Sequence, residues 1–400
     1  MPKIMIRILA VMVLLLPLYG CGSTLSSTTT TTTTTAAPTV TSITPSSGYN
    51  DLNYSLQISG TNFQTGATAK IGSTTISSLE VVNSTTIRGY LFYGVTGGSY
   101  DVNVINPDGQ IGTLAGAFTA NSPPAEWTKE TLSWAGTIEA LTSNCTILLP
   151  DGITYRTYFT GPGGIWTATS TDGISWSNQV LTGVVDTGAT NPGVIRLSDG
   201  TYLMIYGIQT AFPTTEKLYR ATSSNGVTFV KQAGTALIAD PDEEDFVSVP
   251  DLVYLNTTTL RMYFVASPSN SFVHTAVSTD SGLTWTREGK ISIDGGPVGG
   301  QVYDPDIIKF TDGTYWFFFT TPPVGASIGD LRIRSATSSD GRSFVLQSGS
   351  RVTPSGTVST IMDPDVILIK GTTDQYRLYY GGNLSTTPSS ADDLRAIISP

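Results

Sequence analysis

The chain has 400 residues, 39% apolar and 13% charged, with a formal net charge of −10. That balance supplies a sizeable core for two or three domains and excludes a disordered polyelectrolyte, while an acidic chain without basic clusters argues against a nucleic-acid partner, whose phosphates demand Lys and Arg contacts. One histidine, His274, and two cysteines, Cys21 and Cys145, exclude a multi-histidine metal centre and a disulfide framework.

At the N-terminus, Lys3 and Arg7 precede an apolar run from Ile8 to Leu18. The run is far short of the roughly 20 residues that cross a bilayer, and it suits the core of a secretory signal. Leu18-Tyr19-Gly20-Cys21 resembles the bacterial lipobox. The resemblance implies a signal peptide over residues 1–20 and acylation of Cys21, which would anchor the exported chain to the bacterial cell envelope, at the outer membrane in a Gram-negative cell. Residues 21–37 hold eight consecutive threonines, Thr28 to Thr35, and no apolar period, as expected of an extended tether.

From 38 to 121 the pattern becomes short alternating runs such as Tyr54-Ser55-Leu56-Gln57-Ile58 and Tyr100-Asp101-Val102-Asn103-Val104, parted by Gly- and Asn-containing turns. Period-two alternation predicts strands, and about 80 residues of them predict an immunoglobulin-like sandwich. Three stretches carry a family likeness: residues 38–48 (opening Pro38-Thr39-Val40), Ile58-Ser59-Gly60-Thr61-Asn62-Phe63, and Gly98 to Val104 followed by Asn106-Pro107-Asp108-Gly109. They resemble IPT/TIG domains, which implies a spacer or interaction module.

Residues 122–400 contain an internal repeat. One column begins at Ser143, Asn191, Val249, Asp304 and Asp363, at intervals of 48 to 59 residues. A second column is a turn followed by an aromatic: Ser170 to Trp176, Ser223 to Phe229, Ser278 to Trp285 and Ser338 to Phe344. Five units of four strands predict an all-β, five-bladed β-propeller. The last unit lacks a fourth strand, and Trp127-Thr128-Lys129-Glu130 matches Trp285-Thr286-Arg287-Glu288, so the N-terminal strand is expected to close the ring against the C-terminal one. The Ser-x-Asp-x-Gly-x-x-Trp turns resemble the Asp-boxes of sialidases and are expected to be structural.

Chemistry is expected where the inner strands begin, around the propeller axis. Side chains one and three of each inner strand share a face. Position one reads Ser143, Asn191, Val249, Asp304, Asp363, and position three reads Cys145, Gly193, Asp251, Asp306, Asp365. An acidic run, Asp240, Asp242, Glu243, Glu244 and Asp245, precedes the third inner strand. The Asp-Pro strand starts and the Asp-Gly-Trp turns together resemble glycoside hydrolase family 43 and its relatives. That resemblance implies an Asp, Asp, Glu set on the first three blades acting as general acid and base. Here those places hold Ser143, Asn191 and Val249, none of which transfers a proton. A rotated catalytic set of Asp304 and Asp363 with Glu139 or Glu244 is one expectation, with Asp251, Asp306, Asp365 and Asn191 binding at the channel mouth. The other is that the Asp-Pro-Asp starts are turn-formers holding the strands at the axis, with an oxygen-rich mouth suited to Ca²⁺. Trp166, Tyr219, His274, Arg334 and Arg395 form an aromatic or basic column that either packs between blades or presents a surface to sugars. The expected function is a surface lipoprotein that binds, and on the first expectation hydrolyses, a glycan or surface polysaccharide; the alternative is a scaffold for a protein partner.

Overall fold

The computed structural model describes residues 35–136, 142–211, 215–237, 239–240, 243–267, 272–295, 301–322, 331–354, 360–383 and 393–399. The expected signal segment, Cys21, nearly all of the threonine tract, Glu139 and Asp242 lie outside the described residues.

The regular elements are strands. The first region stacks a four-stranded sheet (Thr39–Thr44, Tyr54–Thr61, Thr86–Leu91, Ser77–Asn83) on a five-stranded one (Ser47–Tyr49, Ile111–Asn121, Gly98–Ile105, Thr68–Ile71, Thr74–Thr75). Alternation selects the inward faces: Val40, Ile43, Leu56, Ile58, Ile87, Val102, Val104 and Phe118 meet between the sheets.

The second region folds into five sheets among the described residues. Their innermost strands are Thr142–Leu148 (sheet I), Ala189–Arg196 (sheet II), Val247–Tyr254 (sheet III), Tyr303–Lys309 (sheet IV) and Thr360–Leu368 (sheet V). Each of these touches the next in sequence, and Thr360–Leu368 returns to Thr142–Leu148, so the ring is closed. The second strand of each sheet lies between neighbouring sheets and is buried on both faces, which is why runs such as Leu260–Ala266 and Phe317-Phe318-Phe319 are continuously apolar rather than alternating.

Sheet V takes its outermost strand from Thr128–Glu130, which pairs antiparallel with Asp393–Ile398 through Thr128↔Ile398 and Glu130↔Ala396. Trp127 is buried there, edge-on to Trp316 and Phe318 of sheet IV. The likeness of residues 127–130 to 285–288 is physical. Glu130 grips Arg377 with both oxygens (2.5 and 3.0 Å), and Glu288 grips Arg261 in the same manner (2.7 and 2.9 Å). The Asp-Gly turns join neighbouring sheets. Asp172 accepts the Ile174 and Ser175 N–H groups (2.8 and 2.7 Å), and the carbonyl of Gly173 accepts the Tyr379 hydroxyl of sheet V (2.7 Å). Tyr158 reaches Gly226 and Tyr263 reaches Gly341 identically, at 2.7 Å each.

Candidate functional site

Every innermost strand carries an irregularity at the same place, between Thr142 and Cys145, Thr190 and Gly193, Ser248 and Asp251, Tyr303 and Asp306, and Met362 and Asp365. The position-one residue of each is left-handed: φ is 52° at Ser143, 52° at Asn191, 48° at Val249, 51° at Asp304 and 53° at Asp363. Asp and Asn tolerate that region and valine does not. The recurrence of Asp and Asn here is therefore conformational as much as chemical, and Val249 is strained. Pro192, Pro250, Pro305 and Pro364 follow at position two, where an edge strand needs no N–H.

Around the axis, these edge strands are too far apart to pair as a sheet, yet their N–H groups are buried and need acceptors. Position-three side chains supply them, always to residue four of the next sheet. Cys145 Sγ accepts the Val194 N–H (3.3 Å), Asp251 the Ile307 N–H (2.8 Å), Asp306 the Val366 N–H (3.1 Å) and Asp365 the Thr146 N–H (3.1 Å). Gly193 breaks the belt: a Cβ there would lie 2.2 Å from the Pro250 carbonyl oxygen. Leu252, which would have been its client, donates instead to Asp251 Oδ1 (2.8 Å). A second, partial belt uses position one. Asp304 accepts the Asp363 N–H (3.2 Å), and Asp363 accepts the N–H and hydroxyl of Ser143 (3.2 and 3.0 Å). Asn144 donates its amide to Asp365.

Burial pushes Asp251 up to about 6 and Asp365 up to about 7. Asp306 rises well above the carboxylate range through burial and then repulsion from Asp251 and Asp365, and burial raises Asp304. The belt's carboxyls thus sit above the ordinary carboxylate range. The cavity at the mouth, walled by the five position-one residues with Cys145, Asp251 and Asp306, measures about 30 Å³. That is room for a water or two, against roughly 300–1,000 Å³ for small-molecule pockets. Among the described residues, no group of three or more His, Cys, Asp or Glu side chains is arranged to hold a metal ion.

The structure brings Asp304 and Asp363 together, but as consecutive links of a backbone latch. Asp251, Asp306 and Asp365 gather at the axis as the other latch. Asn191 stands in the same wall and donates to Ser248 Oγ (3.1 Å). Glu139 lies outside the described residues. Glu244 is exposed, in a turn whose φ is 54°. Its neighbour Glu243 is buried and fastened to the outer half of sheet III, by Arg287 (2.8 and 3.2 Å) and by His274 Nδ1 (3.4 Å). Despite its burial, hydrogen bonds from His274 and Arg287 hold Glu243 down at about 2. The acidic run thus gives its buried member to a structural ion pair. The column of five is likewise put to separate uses: Trp166 donates to the Pro162 carbonyl (2.9 Å), Tyr219 lies under Lys231 (4.4 Å to the ring centre) and Arg334 meets Asp51 of the sandwich (3.1 Å).

One acidic residue beside the mouth has no distinguishing mark in the sequence. Glu216, on Thr215–Ser223 of sheet II, is 1% exposed, and burial raises it to about 7 against hydrogen bonds from Ser248 and Asn191. Its Oε1 is buried without a hydrogen-bond partner among the described residues, and it fits only because residue 207 is glycine: a Cβ there would lie 1.8 Å away. In Thr-Thr-Glu-Lys it reads as a surface turn.

Residues 38–120 match the IPT/TIG domain. No curated protein matches the chain in sequence. Among solved structures it is similar to a thermostable family-43 glycoside hydrolase (TM-score 0.51, 14% identity, covering 68% of this chain and 91% of that one). It is also similar to another glycoside hydrolase (TM-score 0.53, 14% identity, 70% and 92%). An α-L-arabinanase of Cellvibrio cellulosa complexed with arabinohexaose aligns with TM-score 0.49 and 12% identity over 66% and 92%. At such identities the likeness to the first two is one of fold, a propeller of the glycoside hydrolase type, and the immunoglobulin-like domain rests on the IPT/TIG match.

Proposed function

We propose that this chain is an exported, lipid-anchored surface protein that binds a glycan through a propeller of hydrolase type without cleaving it at the hub. The observation that carries the reading is the use made of the hub carboxyls. General acid–base hydrolysis needs two carboxyl groups flanking a sugar and a water. Asp251, Asp304, Asp306, Asp363 and Asp365 instead accept backbone N–H groups of the neighbouring sheet, around a cavity of about 30 Å³. Cys21 would carry the acyl anchor, and the threonine tract would hold the folded body off the membrane.

A panel of immobilised glycans together with chromogenic arabinosides, xylosides and sialosides tests the proposal. The expected result is retention on at least one glycan with no turnover. Turnover abolished by both Asp304→Asn and Asp363→Asn would overturn it in favour of the rotated catalytic set. A second reading, a scaffold for a protein partner, draws support from Val180, Leu181, Val185 and Val230, apolar side chains exposed on the outer strands and adjoining loop of sheets I and II. Capture of a protein partner with no glycan retained would favour it.

A further inference from the structure

The tip of the sandwich between Tyr49 and Asn53 is clamped to the propeller. Asp51 meets Arg334 (3.1 Å) and accepts the Ser348 hydroxyl and the Gly349 N–H (2.8 Å each). The Asn53 N–H donates to the Gly295 carbonyl (2.9 Å), and Leu52 packs on the core shared by sheets III and IV. Arg334 is 7% exposed, so its end of the contact is buried. A second loop is tied to the same tip: Gly94 donates to the Asn50 carbonyl (2.8 Å) and Tyr93 to Asn53 Oδ1 (3.0 Å).

Beside this clamp the chain leaves three aromatic side chains in solvent, Tyr49 (40% exposed), Phe92 (49%) and Tyr93 (42%). One exposed ring is ordinary; three on two short segments bonded to each other at a domain seam are not. Seams between domains are favoured places for ligands. The surroundings select the ligand's chemistry. Residues 43–50 and 89–100 carry no charged side chain although the chain's net charge is −10. The surface therefore offers ring faces and phenol hydroxyls, and the exposed Arg88 that precedes it stands across from Glu80 on the neighbouring strand, so no net positive charge is left for a phosphate or an anionic lipid. A pyranose or furanose ring fits that offer, with its C–H face on an aromatic ring and its hydroxyls at the rim.

We propose that Tyr49, Phe92 and Tyr93 form a stacking surface for a neutral polysaccharide at the sandwich–propeller seam, held in place by the Asp51 clamp. The proposal rests on the glycan-binding reading and assigns the binding to the sandwich side of the seam rather than to the hub. The test is affinity electrophoresis of the full chain through gels containing soluble arabinan, xylan or levan, with neutral and anionic vesicles as a separate arm. The wild type is expected to be retarded by at least one of the three polymers. Phe92→Ala, at a half-exposed site that leaves the fold intact, is expected to weaken retardation about tenfold, the loss typical of an aromatic anchor. The triple Tyr49→Ala/Phe92→Ala/Tyr93→Ala variant is expected to abolish it. Asp51→Ala, which opens the clamp and leaves the buried Arg334 without its carboxylate, is expected to weaken it and to lower the melting temperature of the propeller. Undiminished retardation of the triple variant would overturn this surface and leave the glycan-binding reading standing. No retardation of the wild type in any gel would overturn both, and vesicle binding lost in the triple variant would assign the rings to a membrane instead.

Discussion

Replacing Asp306 by Asn separates the two things its carboxyl does. The amide oxygen still accepts the Val366 N–H now held at 3.1 Å, but the group that must either carry charge toward Asp251 and Asp365 or hold a proton to avoid it is gone. The raised hub groups set the sign. A carboxyl whose folded pKa lies above its unfolded value contributes stability that is complete below the unfolded value and is lost as pH rises through the folded one. Asp365 goes from 3.8 to about 7 and Asp251 from 3.8 to about 6. At about 1.4 kcal/mol per unit, these two shifts withdraw several kcal/mol between pH 4 and 7, since three units at one site alone are about 4 kcal/mol. Removing the third member of the cluster should return about 1–3 kcal/mol at pH 8, and much less at pH 4.5, close to the ordinary carboxylate range. Urea unfolding at the two pH values, followed by tryptophan fluorescence, reads the difference as a shift in midpoint at constant slope. Asp306→Ala is the control: it removes the same carboxyl but strands the Val366 N–H, so at both pH values it should be about 1–3 kcal/mol less stable than the Asn variant. An Asn variant destabilised equally at pH 4.5 and pH 8 would refute the repulsion between hub carboxyls.

Three further outcomes are expected. Val249→Asn should raise the melting temperature, by relief of about 1 kcal/mol of left-handed strain at φ 48°; a lower melting temperature would show that the valine side chain contributes more than its backbone costs. Glu130→Ala should cost about 3 kcal/mol, because it leaves the buried Arg377 guanidinium without its carboxylate, and hydrogen exchange should speed up first in Asp393–Ile398, where the ring is latched. Gly207→Ala should destabilise strongly and be rescued in part by Glu216→Ala, since the added Cβ collides with Glu216 Oε1; a double-mutant cycle of melting temperatures measures the coupling.

The architecture was legible because its causes are local. Alternation in Tyr54–Thr61, double-faced apolar runs in the second strands and the Asp-Gly turns each follow from neighbours a few residues apart. Repetition at 48 to 59 residues turned local strands into a ring, and the kinship of Glu130 with Glu288 foretold the closure that the Arg377 and Arg261 pairs realise. The gathering of acidic side chains at the axis was also readable, because position one demands a left-handed residue and Asp and Asn meet that demand. What those carboxyls do stays open in the sequence, between a rotated catalytic set and turn-formers that hold the strands at the axis. Whether Asp363 faces a substrate or the Ser143 N–H depends on two chain segments 220 residues apart coming within 3.2 Å. The burial of Glu216 behind Gly207, the pairing of Glu243 with Arg287 and the grip of Asp51 on Arg334 across 283 residues depend likewise on distant side chains. Strand, turn and repeat are written in neighbouring residues; desolvation and hydrogen-bond partnership arise only when remote parts of the chain exclude water from one another, and they decided that the hub's acids hold the ring together.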